Sequence, residues 1–330
     1  MVFCFGEILL RMSPALNREW IKNAQTCVYV GGAELNVATA LAKWNVPVKY
    51  FTAMPDNYMS HEIIAELSSR NIDTSSVHFG GDRIGIYILP QGTDLKHAGV
   101  IYDRAHSSFS ALQPGMINWE EVLEDCTWFH FSAISPALNN NVAAVCEEAL
   151  KVAVKKQLTI SVDLNYRAKL WKYGKQPVTV MPGLVQYCDV IMGNLWSAES
   201  LLDIESPVKE SIGKSKNELI DAALQSMEHL QEEYPKAKTV AYTFRLDEEY
   251  FALLKKIDEK AVSKIFPVKE VVDKVGSGDC FMGGLIYGLH NQLTIADTIN
   301  FAAAAAVGKL KEKGDATSQT VESIIQLTKE

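Results

Sequence analysis

The chain has 330 residues, 48% of them apolar and 22% charged, a balance that supports a large buried core and excludes wholesale disorder. Its 40 acidic and 32 basic side chains leave a net charge of −8, which argues against a general nucleic-acid binder and still permits a local basic pocket. Apolar stretches such as 301–307 fall well short of the roughly 20 residues that a membrane span needs.

From the N-terminus, residues 2–5 read as a first strand. Glu7 and Arg11 interrupt the apolar run there and the start is not cationic, so no secretory leader is expected. Residues 20–30 are strand-like, Gly31 and Gly32 mark a turn, and 33–44 carries a helical pattern before a strand at 48–53. Residues 83–89 alternate, Pro90-Gln91-Gly92 turns the chain, and 99–102 resumes as strand. The stretches 20–30 and 84–102 break the alternation of strands and helices. These ribbons predict either a small β-rich lid, spanning about 12–30 and 83–106, or an edge extension of the main sheet. Strands at 128–134, 158–164, 190–192 and 239–244 then alternate with helical patterns at 142–155 and 217–233, and a further helix is expected at 295–311. This order predicts a single α/β domain over 1–330 with a largely parallel sheet. Cysteines at 4, 27, 126, 146, 188 and 280 form no CxxC pair, so free thiols in a reducing cytoplasm are expected rather than zinc or disulfides.

The segment Asp273-Lys274-Val275-Gly276-Ser277-Gly278-Asp279 runs into an apolar, glycine-marked helical pattern at 280–289. A helix starting here would aim unsatisfied amides and its positive dipole end at one point, which suits a phosphate. Asp279 in its first turn could accept a proton from a hydroxyl. The alternative is an ordinary glycine-rich turn whose Asp favours a helix N-terminus. Neither a Walker loop nor a protein-kinase HRD/DFG set occurs, which excludes those two phosphoryl-transfer designs.

That segment resembles the C-terminal signature of the PfkB, or ribokinase-like, carbohydrate kinases. Gly31-Gly32-Ala33-Glu34-Leu35-Asn36-Val37-Ala38 resembles their GG-x-x-x-N-x-A signature. Within the family, Gly6-Glu7-Ile8-Leu9-Leu10-Arg11-Met12-Ser13 is similar to the opening of the 2-keto-3-deoxygluconate kinase subgroup. So are Arg83-Ile84-Gly85-Ile86-Tyr87, Ile101-Tyr102-Asp103-Arg104-Ala105 and the D-x-N-x-R-x-x-L-W segment from Asp163 to Trp171. The resemblance implies a ribokinase-like α/β fold: a largely parallel central sheet flanked by helices on both faces, with a small β-rich lid. It implies ATP-dependent phosphorylation of a sugar acid, with ATP and Mg²⁺ as cofactors. Asp279 would be the catalytic base, and Gly276, Ser277 and Gly278 the anion hole. Gly32, Asn36, Tyr87, Tyr102, Arg104, Asn165, Arg167 and Asp315 would contact substrate, and Asn194, Thr243 and Arg245 would contact ATP. No metal ligand is assigned.

Arg167 follows the 158–164 strand, so it would emerge at a strand's carboxyl end, where open α/β sheets bind ligands. There it would either grip a substrate carboxylate by a charge-assisted fork or pair with Asp163. Two segments depart from the family. Related kinases often carry N-x-x-E, but Asn194 is followed three residues on by Ser197, with Glu199 two further. The glycine-rich ATP loop expected after 239–245 is replaced by Leu246-Asp247-Glu248-Glu249-Tyr250, an acidic run that would repel ATP unless turned outward. The run 302–306 is all alanine and would either admit an adenine ring or serve helix packing. Rival functions are another PfkB sugar kinase, such as fructokinase or ribokinase, and a non-catalytic sugar-acid-binding pseudokinase. Lid ribbons with exposed edges suggest a homo-oligomer.

Overall fold

The computed structural model describes residues 1–15, 26–90 and 99–329. Strand β1 (Val2–Phe5) leads directly into lid strand β2 (Leu9–Pro14). A second lid strand, β3 (Thr26–Gly31), is followed by helix α1 (Ala33–Lys43) and β4 (Val48–Phe51). Short β5 (Ala53–Met54), helix α2 (Tyr58–Ser69), β6 (Ile72–Asp73) and β7 (His78–Phe79) precede the lid strands β8 (Gly85–Ile88) and β9 (Ile101–Asp103). One-turn α3 (Trp119–Val122) opens a run of alternating units: β10 (Trp128–Ser132), α4 (Asn140–Lys155), β11 (Thr159–Asp163), α5 (Met181–Val185) and β12 (Val190–Gly193). Helices α6 (Leu195–Leu202) and α7 (Lys216–Glu233) lead to β13 (Thr239–Arg245), β14 (Glu249–Lys256), β15 (Glu259–Val262) and β16 (Phe266–Pro267). The chain closes with α8 (Ser277–His290), α9 (Ile295–Lys309) and α10 (Val321–Lys329). None of the described helices is long and apolar enough to cross a membrane.

The main sheet has the order β15-β14-β13-β12-β11-β10-β1-β4-β6, with β16 paired to β14. From β13 to β6 every pair is parallel; β14 and its partners run antiparallel. The lid is a sheet of its own, β3-β2-β8-β9, and not an edge extension. Its first strand starts at Leu9, ahead of the expected position 12, because the chain leaves the main sheet immediately after Phe5. The expected strand start at 20–25 and the turn at Gln91-Gly92 lie outside the described residues. Strand β14, which the acidic run conceals in the sequence, is buried from Tyr250 to Leu254.

Alternation sorts side chains between two cores. Phe3 and Phe5 face one, with Phe129, Phe131, Ile160, Val162 and the apolar sides of α4 and α7; Val2 and Cys4 face the other, with Leu41, Phe281 and Ala302. Helices therefore cover both faces of the sheet. Their starts are set locally: Asn139 accepts the amide of Val142, and Thr294 accepts that of Asp297.

Helices α8 and α9 approach closely through small residues. A Cβ placed on Gly284 would lie 2.7 Å from the Ala302 Cα, and Ala302 to Ala306 are fully buried. The alanine run therefore serves helix packing and does not reach the ligand cavity. Gly284→Val should separate these helices and cost about 1–3 kcal/mol, read as a lower urea midpoint at unchanged slope.

Candidate active site

Parallel strands end at a common edge, and ligands of open α/β sheets bind there. A cavity of about 720 Å³ opens at that edge, and every candidate residue lines it. Gly276, Ser277, Gly278 and Asp279 come from the start of α8, Gly32 and Asn36 from the start of α1. Tyr87, Tyr102 and Arg104 come from the lid, Asn165 and Arg167 from the turn after β11. Asn194 precedes α6, Thr243 and Arg245 close β13, and Asp315 follows α9.

Gly276 caps α8 with a φ of 80°, in the left-handed region. A Cβ there would run into the Asp315 carbonyl oxygen, so backbone geometry and space both require glycine. Gly278 differs: a Cβ on it would meet nothing within 4 Å. Chain packing does not demand glycine at 278; the open space in front of it belongs to the cavity. The Ser277 hydroxyl donates to the Ala306 carbonyl at 2.9 Å; its backbone amide, at the first position of α8, has no intrahelical acceptor. Gly32, with φ 140°, faces the Glu7 carbonyl in the same intolerant way.

Asp279 is buried in the first turn of α8, and Asn36 Nδ2 donates to its Oδ2 at 2.7 Å. Burial raises its pKa to about 6; the Asn36 hydrogen bond, Arg167 and Lys309 pull it down, and Asp315 pushes it up. Asp163, at the end of β11, is pushed well above the usual carboxylate range by burial and then by Asp279, against the pull of Arg167. Glu34 is raised to about 7 by burial and accepts from Ser132 N at 3.0 Å and Oγ at 2.6 Å.

Arg167 is half-buried and donates Nη1 to the Tyr166 carbonyl at 3.0 Å. Among the described residues it makes no ion pair within 4 Å, so the pairing with Asp163 is not formed. Arg104 is committed: its Nε and Nη2 lie 2.7 and 2.5 Å from Glu7 Oε2, and Glu7 also accepts from Ser107. Tyr87 donates to Asp315 Oδ2 at 2.7 Å, and its ring neighbours that of Tyr102.

The two family departures have local explanations. Asn194 Oδ1 accepts the Ser197 amide, and Ser197 Oγ accepts the Asn194 amide, a capping box that starts α6. Only the donating Nδ2 of Asn194 is then left for a ligand. Glu199 pairs with Lys209 at 2.7 Å and does not line the cavity. Asp247 and Glu248 form an exposed turn between β13 and β14, closed by the Leu246 amide on the carbonyl of Glu249, the exposed first residue of β14, at 2.8 Å. Their charge faces solvent. Glu7, Glu34 and Asp163 were not candidates from sequence; an acidic residue inside or at the end of an apolar run was the available signal.

The two loop glycines should separate in experiment. Gly276→Ala should lower stability by at least about 1–3 kcal/mol from left-handed strain, with the clash against the Asp315 carbonyl adding to the loss. Gly278→Ala should leave the melting temperature nearly unchanged and weaken ATP binding in a titration, because its methyl group enters the cavity.

The pfkB family carbohydrate kinase model matches residues 1–322. A crystal structure of 2-dehydro-3-deoxygluconokinase from Thermotoga maritima is 33% identical, with a TM-score of 0.89 over 100% of this chain and 99% of that one. A 2-dehydro-3-deoxygalactonokinase from Haloferax volcanii is 26% identical over 97% of this chain and 94% of its own length. A fructokinase from Xylella fastidiosa with bound ATP shares the fold, at 18% identity, a TM-score of 0.77 and coverage of 99% and 98%. A glycine-capped helix N-terminus with an aspartate in its first turn, a separate β lid and a match along almost the whole sequence agree: the chain belongs to the pfkB family of carbohydrate kinases, phosphotransferases with an alcohol acceptor.

Proposed function

We propose that the chain transfers the γ-phosphoryl group of ATP to the 6-hydroxyl of a 2-keto-3-deoxy sugar acid, most closely 2-keto-3-deoxy-D-gluconate. The carrying observation is Arg167: a half-buried guanidinium with no acidic partner within 4 Å among the described residues, on the cavity that also holds Asp279 and the N-terminus of α8. A sugar acid brings the carboxylate that such a group binds in a planar fork. A neutral ketose leaves it unmatched. The names of the Thermotoga and Haloferax relatives support a sugar-acid substrate and differ in its stereochemistry, so the 2-keto-3-deoxygalactonate epimer is the second substrate to test.

In the proposed step Asp279 accepts the proton of the acceptor hydroxyl as its oxygen bonds to the γ-phosphorus and ADP departs. A carboxylate with a pKa of about 6 is a better proton acceptor than an ordinary Asp, yet it remains largely ionised at pH 7. The transition state is loose, so positioning and electrostatics contribute most. Amides of the 276–278 loop and the dipole of α8 would face the transferred phosphoryl group. The described lining offers oxygen and amide donors and neither His nor Cys, a set suited to Mg²⁺. No cluster of three acidic, His or Cys ligands exists among the described residues, so Mg²⁺ would be held mainly by phosphate oxygens and water. Bound there it would offset phosphate charge. The proposal includes a cytoplasmic enzyme that pairs with a second copy through the lid. Val28 and Ile101, on the lid's two edge strands, are 55% and 58% exposed.

An ADP-release screen over both epimers and neutral ketoses tests the assignment; turnover restricted to neutral sugars would remove it. Asp279→Asn should lower kcat by about 10²–10⁴-fold. In the wild type, kcat/KM should fall as pH drops through about 6, when Asp279 takes up a proton. Stability should move the other way. Asp279 ionises less readily folded than unfolded, so its contribution is full at low pH and is lost as pH rises through about 6.

Arg167→Leu should reduce kcat/KM for the sugar acid by about 10–200-fold, from about 1.5–3 kcal/mol for a charge-assisted hydrogen bond, while ATP affinity changes little. Equal losses on acid and neutral sugars would mean that Arg167 supports the architecture instead.

A further inference from the structure

Arg11 does not line the cavity, yet it is one of the largest fully buried side chains, 2% exposed. It projects from lid strand β2, and the Tyr29 ring of β3 covers its guanidinium at 4.5 Å. Its fork holds both oxygens of Asp273, Nη1 to Oδ1 at 3.2 Å and Nη2 to Oδ2 at 2.6 Å. Its Nε lies 2.8 Å from Asp315 Oδ1, as an ion-pair contact rather than an aligned hydrogen bond. Asp273 in turn accepts the amides of Val275 at 3.1 Å and Gly314 at 3.3 Å, the residues just before Gly276 and Asp315. Lys309, also fully buried, donates to the Gly314 carbonyl at 2.8 Å and adds a second cation to the two carboxylates.

One buried ionic cluster thus ties three segments together: the lid sheet, the loop entering α8 and the turn after α9. Stability alone does not call for it. Buried ion pairs gain little over apolar side chains of similar volume, and a methionine would fill position 11. What an arginine fork adds is geometry, because it fixes two carboxylates at set distances.

We propose that Arg11 is a positioning residue that holds the 276–278 loop and Asp315 in one register with the lid. Its kinetic consequence rests on the kinase reading; the structural coupling does not.

Hydrogen exchange on the full chain without ligand tests the coupling. Arg11→Lys keeps a cation but loses the fork. Protection should fall together in lid residues 85–88, in 273–279 and in 310–316, and stay unchanged in β10 and β11. Loss confined to β2, or no loss, overturns the proposal. Kinetics on the same protein, scaled to the folded fraction, should show kcat lower by about 10–100-fold, as expected for a slightly misplaced site, with both KM values little changed. A lower melting temperature with wild-type kcat per folded molecule would make Arg11 merely structural and also overturn it. Should Arg11→Lys not fold, Asp273→Asn carries the same expectations, since it keeps the shape and loses the ion pair. Absence of sugar-acid turnover in the wild type would reject the kinase reading, and the exchange pattern would still decide the coupling.

Discussion

The left-handed turn at Gly276 is the constraint on which the site depends. It lets the chain pass beneath the Asp315 carbonyl and begin α8 at the carboxyl edge of the sheet. The orientation of α8 then directs its free amides into the cavity and places Asp279 one turn in. The same helix is held from behind by Gly284 against Ala302, so backbone geometry at one end and close packing along its length set one position. Neither contact is chemical in purpose, yet both determine where the chemistry would occur.

The electrostatics around that helix are a balance of buried charges. Asp279, Asp163 and Glu34 are all raised by burial, and the first two also repel each other. Such a group costs stability, which is common where reactivity requires it. Arg167 and Lys309 moderate the cost without forming close pairs with Asp279. Arg11 and Lys309 likewise face Asp273 and Asp315 below the loop. The cations of this region are thus distributed among its buried acids.

The nucleotide side shows how a family pattern can change while the architecture stays. Ser197 stands where related kinases often carry glutamate, and it completes the capping box of α6. The acidic residues after β13 form an outward turn into the antiparallel strand β14, so they place no negative charge in the cavity.

Strand positions and the α8 signature were legible in the sequence because they rest on local rules: alternation, capping and the freedom of glycine. Strand β1 and the body of α4 fall where periodicity places them. The two family signatures located cavity residues because each sits at a helix start. Sequence could not assign partners. Arg11 reaches Asp273 across 262 positions, Asn36 reaches Asp279 across 243, and Arg104 reaches Glu7 across 97. Glu7 and Arg11 read in sequence only as interruptions of an apolar run; burial in the folded chain makes them ion-pair members. Gly276 and Gly278 are equivalent as letters. Only the tertiary structure distinguishes them, because one faces the Asp315 carbonyl and the other faces open space. Such distinctions depend on which distant segment packs against a residue, and local sequence rules carry no record of that.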